Sequence, residues 1–336
     1  MEYEVDELIQ KYNLPIVQLD NNRNYWLVRT NAGAYFEEFF TENYIAVGWD
    51  DFTNFDMFKT KKKDESITKE LAEAYPKEQP GRIYGQIHRF LYEMKIGDVV
   101  MIPSENSTLI RFGIIESEPR MRSISDTRID EGACPYVKVR TVKWIKTVRR
   151  LELDPYLFRM MQSHQAISNA NDYAHFIDRT LHSFFIKNNK AFLVLPVKKE
   201  GDIPAYDLIR FVDSIIDLIP LVNDIKGIEQ EFEKEDLDLK LNVQSPGFTE
   251  FVSNAPHLIL GIGLLLIFLT GSKFKGISSS DEEYEANFKG LFEDEFKNGI
   301  DNYEQIKNRN IENFSRVKAE LPEDIKKLLE ESNREG

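Results

Sequence analysis

A chain of 336 residues has room for two domains and a sizeable buried core. Its net charge of -14 argues against gripping nucleic acid through bulk electrostatics. The lone cysteine, Cys134, excludes an internal disulfide and a cysteine-based metal site and fits a reducing compartment. Residues 1–200 are close to neutral, so nearly all the negative excess lies further on. The opening MEYEVDELIQ is acidic and lacks an apolar stretch, so no signal peptide is expected.

Residues 1–21 read as a short leader. From Asn24 onward, YWLVRT, GAYFEEFF and YIAVGWDDF are short apolar or aromatic runs broken by Gly and Asn, the pattern of strands and a helix around a mixed sheet. Residues 59–80 are a polar loop leading into a helix. Ile83 to Met94 carries apolar side chains at helical spacing, Gly97-Asp98 marks a turn, and Val99 to Ile102 is a buried strand. LIRFGIIES and PYVKVRTVKWI supply two further strands.

Taken in order, YWLVR, Gly33-x-Tyr35, IAVGW, YGQIHRF, GDVVMIP, RFGII and VRTVKW resemble the EVE-like domain of the PUA superfamily over residues 22–150, with 151–200 as a helical extension and closing strand. The resemblance implies an α+β fold: a small curved β-barrel with flanking helices and a pocket that reads a nucleobase, often a modified or flipped one. Such a pocket needs aromatic faces and a few hydrogen bonds to the base edge. The candidates are Trp26, Tyr35, Trp49, Tyr84 and Gln86, with Arg29 and Arg82 available for a phosphate or a base edge; both tryptophans have a competing reading as core. The basic cluster Lys143, Lys146, Arg149 and Arg150, interleaved with Trp144 and Ile145, is a candidate for a nucleic-acid backbone, or simply the solvated face of a strand.

His164, His175 and His182 fall in one helical region without a carboxylate or cysteine at metal-ligand spacing, so neither a metal nor a cofactor is expected. There is no Gly-rich phosphate loop, nucleophile elbow or nuclease cluster, and the chain reads as a non-enzyme.

Beyond VLPVKKEGDIP the C-terminal region reads as α-helical. Residues 201–245 hold an amphipathic helix from Ala205 to Gly227, with Asp213 and Asp217 in its polar stripe, and an acidic spacer. Residues 246–275 contain the uncharged run Phe251 to Ser272, which reaches spanning length when its flanks are counted and reads as a transmembrane helix followed by Lys273 and Lys275. Gly261 and Gly263 leave room for close helix contact. A buried core helix is the alternative. Residues 276–336 are a charged helical tail with an apolar stripe including Phe288, Phe292 and Ile306, suited to helix pairing or to a solvated tail.

The expectation is a bacterial anti-phage effector at the inner membrane, its EVE-like domain in the cytoplasm. That domain would sense a nucleotide, a single-stranded oligonucleotide or a modified base made or exposed by a partner, such as a nucleotide-signal synthase, and gate a homo-oligomeric path through the lipid bilayer, with Asp213 and Asp217 lining a cation route. The arrangement is similar in architecture to CBASS- or Hailong-type effectors. The alternative is a soluble modified-DNA reader that works with a separate nuclease.

Overall fold

In the computed structural model, which describes residues 4–11, 14, 16–62, 64–242, 247–271 and 303–321, the strands are β1 (Val17–Gln18), β2 (Tyr25–Val28), β3 (Tyr44–Val47), β4 (Val99–Pro103), β5 (Leu109–Ile115), β6 (Arg120–Met121), β7 (Lys138–Arg149), β8 (Ile167–Asn169), β9 (Phe184–Lys187), β10 (Lys190–Val197), β11 (Asp238–Asn242) and β12 (Gly247–Ser253). The helices are α1 (Val5–Lys11), α2 (Phe36–Thr41), α3 (Glu65–Ala74), α4 (Pro80–His88), α5 (Asp126–Asp130), α6 (Pro155–Met160), α7 (Ala174–Leu181), α8 (Ala205–Ile216), α9 (Ile219–Val222), α10 (Pro256–Gly271) and α11 (Tyr303–Val317). Two units emerge: residues 22–181, and a second unit that joins the N-terminal segment to everything from His182 onward.

In the first unit a curled sheet has the order β3-β7-β5-β4-β2-β8, with β6 paired to β7. Side chains alternate across it because strand side chains point to opposite faces in turn. Trp26, Val28, Val100 and Ile102 enter one core, packed with α2 to α4. Tyr25, Leu27, Val99 and Met101 enter the other, under α6 and α7. β2 and β4 run parallel, which forces a long crossover through α2, β3, α3 and α4. A bulge at Phe112/Gly113 bends β5 against β7. A Cβ on Gly113 would lie 2.4 Å from the Val142 side chain, so only glycine fits there.

Two buried polar side chains fix this unit's interior. Asp98 accepts from the Asn24 and Lys95 backbone amides and from Trp26 Nε1. Arg140, fully buried, donates to the carbonyls of Phe90, Leu91, Met94 and Ser117. It thereby satisfies the carbonyls that a helix leaves open at its C-terminal end, here the π-turn Arg89–Glu93 that follows α4. Burial pushes the guanidinium pKa down to about 10.

The second unit has a five-stranded sheet, in the order β1-β9-β10-β12-β11. Its C-terminal part is therefore α+β, a correction to the all-helical expectation: the acidic spacer ends in β11, whose DLKLN alternates as a strand does, and Phe248 and Phe251 belong to β12. The expected transmembrane helix is corrected as well. Among the described residues no helix is long and apolar enough to cross a membrane. The run that reads as one span is split, because β12 continues to Ser253 and the helix begins only at Pro256. The remaining 16 residues of α10 rise roughly 24 Å, short of a ~30 Å hydrocarbon core.

α10 is instead wrapped by protein. It touches α1, α9, α11, β10 and β12, and Leu258 to Leu266 are buried. Its glycines admit those neighbours: a Cβ on Gly261 would sit 2.5 Å from Val222 of α9, and one on Gly263 2.7 Å from the ring of Phe184 on β9. The wrapping comes from short segments distributed along the chain rather than from one long amphipathic helix. Of the expected channel-lining residues, Asp213 is exposed on α8, and Asp217 pairs with Arg309 of α11 at 2.9 Å. Lys273, Lys275, Phe288 and Phe292 lie outside the described residues; Ile306 packs against the core from α11.

Candidate functional site

β3 and β8 are the two ends of the strand order in the curled sheet, and among the described residues no pairing joins them to each other. A cavity of about 420 Å³ opens at this seam, within the size range of small-molecule pockets. Ala46, Val47, Gly48 and Trp49 line it from one edge, His164 and Ala166 from the other, and Arg82 and Gln86 of α4 from a third side.

Trp49 is set by an unusual turn. Its φ is 61°, a left-handed conformation uncommon for a bulky residue and concentrated where function holds it in place. The holding group is Lys138, fully buried, whose Nζ donates to the Trp49 and Phe52 carbonyls and to Asp50 Oδ1. Burial lowers the Lys138 pKa, and the Asp50 carboxylate opposes that shift. The indole Nε1 donates to Glu78 Oε1 at 3.2 Å, which steadies the ring against the loop between α3 and α4.

Tyr136 faces the same space. A Cβ on Gly48 would lie 2.9 Å from its ring, so the glycine lets the tyrosine close on the strand. Tyr35 packs edge-on to Tyr136 at 5.4 Å and supports it from behind. Burial and the neighbouring Tyr35 push the Tyr136 hydroxyl up to about 12, so it stays a hydrogen-bond donor at neutral pH. Tyr75, also lining the cavity, is shifted up by burial and by Asp51.

Two cations line the cavity. Arg29 follows β2, and its guanidinium donates to the carbonyls of Ser163 and Met161, which fixes the approach to β8. Those partners are neutral, so its charge is not compensated by them, and burial lowers its pKa. Arg82 donates to the His164 carbonyl at 3.0 Å. Gln86 is buried with both ends engaged: Oε1 accepts from the Ile167 amide and Nε2 donates to Gln165. It therefore forms a wall and plugs the free edge of β8, rather than offering an unused amide to a ligand.

Of the residues expected from the sequence, Arg29, Trp49, Arg82 and Gln86 meet at the cavity, and Tyr35 stands behind it. Trp26 is core, bonded to Asp98. Tyr84 is also buried, its hydroxyl donating to the Thr60 carbonyl. The basic cluster lies along β7 away from the cavity: Lys138 marks the cavity end, and Arg149 is eleven residues on, roughly 35 Å at strand spacing. Lys143 is exposed, Lys146 donates to the Thr180 carbonyl, and Arg150 stacks on Phe158 at 5.1 Å.

Tyr75, Tyr136, Glu78 and Asn31 complete the cavity and were not among the expected residues. His164, for which the sequence predicts no metal role, lines it as well. Among the described residues no group of His, Cys, Asp and Glu is arranged to hold a metal ion.

Residues 24–170 match the model of a family described as a domain of unknown function, DUF8426. The matched span runs from the start of β2 to just past β8, so it contains the whole curled sheet and every residue of the cavity. No curated protein and no solved structure matches the chain.

Proposed function

We propose that the first unit is a non-catalytic reader of a nucleobase, free in a nucleotide or turned out of a strand, and that the cavity at the sheet seam receives the base. The observation that carries this reading is the pairing of Trp49, held at positive φ by buried Lys138, with Tyr136 across a cavity that also presents Arg29 and Arg82. Aromatic faces stack on any base, and arginine donors suit carbonyl or phosphate oxygens. The resemblance to EVE-like domains supports the same reading. The membrane-gating half of the expectation is not carried forward, because it required the spanning helix. What remains is the alternative reading, a reader of modified DNA bases that works with a separate nuclease.

The test is binding of the intact chain to nucleosides, nucleotides and short single strands with plain and modified bases, read by tryptophan fluorescence and calorimetry. Stacking on one aromatic side chain contributes about 1–3 kcal/mol per base, so Trp49→Ala is expected to weaken binding roughly 5- to 150-fold while leaving the fold intact. Equal affinity in the wild type and Trp49→Ala overturns the assignment of the cavity.

A further inference from the structure

A second cavity, of about 450 Å³, adjoins the first: Arg82 and Gln86 line both. Their linings differ in chemistry. Besides the shared Arg82, the first presents Trp49, Tyr75 and Tyr136 with Arg29, whereas the second presents Lys61 and Arg89, with Gln165, Tyr84 and His88 also in its lining. Among the described lining residues Glu93 is the one carboxylate, and it lies 3.8 Å from Lys61 and 3.7 Å from Arg89, close enough to attract both and too far for a tight bond to either. Three cations against one carboxylate leave the groove with excess positive charge.

The cations are held to different degrees. Arg89 is fixed, its guanidinium donating to Gln165 Oε1 and the Ile167 carbonyl. Lys61 is highly exposed, with 87% of its side chain accessible, so its ammonium can swing onto a ligand without breaking a strong contact. The rim also includes Gly81 in the first turn of α4, where no side chain caps the helix.

From this adjacency we infer that the second groove is a phosphate subsite, so that the ligand is a base carrying a phosphate rather than a free base or nucleoside. The inference rests on the base reading of the first cavity and adds to it where the phosphate of that nucleotide or strand is held. Gln86 separates the two compartments: the planar base lies on its aromatic side and the anion on its cationic side. Arg82, shared by both, reaches the junction where sugar and phosphate meet.

The experiment compares three probe series on the intact chain: nucleosides, their 5′- and 3′-monophosphates, and trinucleotides with the same central base. Each is titrated at several salt concentrations against wild type and Lys61→Glu. Phosphate-bearing probes are expected to bind at least tenfold tighter than nucleosides at low salt. For the trinucleotides log K should fall with log salt by roughly 0.7 per phosphate contact. Lys61→Glu should remove a threefold or larger part of the advantage without changing nucleoside binding. The stronger of monophosphate and trinucleotide identifies a free nucleotide or a strand as the source of the phosphate, and either supports the subsite. Equal affinity for nucleoside and phosphate forms, or an unaffected Lys61→Glu variant, overturns the subsite while the base reading stands. Failure of every series, nucleosides included, removes the base reading itself.

Discussion

Gly261→Ala tests directly whether α10 is a core helix. Two effects of opposite sign compete. Replacing glycine by alanine inside a helix favours folding by about 1 kcal/mol. The new methyl would, however, lie 2.5 Å from Val222 Cγ1 and 3.0 Å from Cγ2, against an optimal carbon separation of about 3.5–4.0 Å. Val222 is buried and β-branched, so it has little rotamer freedom with which to yield. Overpacking of this kind costs about 1–3 kcal/mol, so the clash is expected to cancel the helix gain or to outweigh it by up to about 2 kcal/mol. Gly85→Ala is the matched control: it too is interior to a helix, α4, and its added methyl meets nothing within 4 Å. It should stabilise by about 0.5–1 kcal/mol. Urea titration with site-resolved hydrogen exchange reads the two units separately. If Gly261→Ala stabilises its unit as Gly85→Ala does, the packing of α10 against α9 is refuted.

Two further predictions concern the first unit. Arg140→Met leaves the carbonyls of Phe90, Leu91, Met94 and Ser117 without their donor and is expected to cost about 3–5 kcal/mol, measured by denaturant unfolding; a loss below about 1 kcal/mol contradicts the capping role. Cys134 is buried, and burial holds its thiol up at about 12, above the ordinary cysteine value. The folded state therefore keeps a proton that the unfolded state releases, so this contribution is complete below about pH 8.5 and is lost as pH rises toward 12, by up to about 1.4 kcal/mol per pH unit. Cys134→Ala should flatten that slope by one proton, and in wild type a thiol reagent should label Cys134 only at the rate of unfolding.

Much of the sheet was legible because its strands are short, apolar and punctuated. YWLV, YIAV, VVMIP and LIRFGII are β2, β3, β4 and β5. The aromatic half of the site was legible only in part. Trp49 could be singled out because it ends a strand motif, whereas Tyr136 depends on a pairing of β3 with β7 that brings residues some ninety positions apart into register. Arg140 and Lys138 read as ordinary members of a charged strand, and only the fold reveals that they are buried beneath carbonyls. The membrane reading failed for a related reason. Hydropathy does not distinguish a lipid-facing helix from one sheathed by protein, and the sheath here is assembled from α1, α9, α11 and two strands scattered through the chain.

The N-terminal segment gives this protein a particular order of assembly. β1 pairs in parallel with β9, at Val17↔Phe185 and Gln18↔Ile186, so the second unit is a host into which residues 22–181 are inserted as a loop. At the base of that loop Arg23 and Tyr25 both bond to Asp178, which draws the insert's two chain ends together. During synthesis the insert is complete before β9 exists, and domains commonly fold in the order they emerge. Once folded, it holds its ends close, so β1 meets β9 without the entropic cost of closing a long flexible loop. The inserted unit thus acts as a template for its own host, and a lesion that unfolds the insert is expected to delay a sheet in which it has no strand.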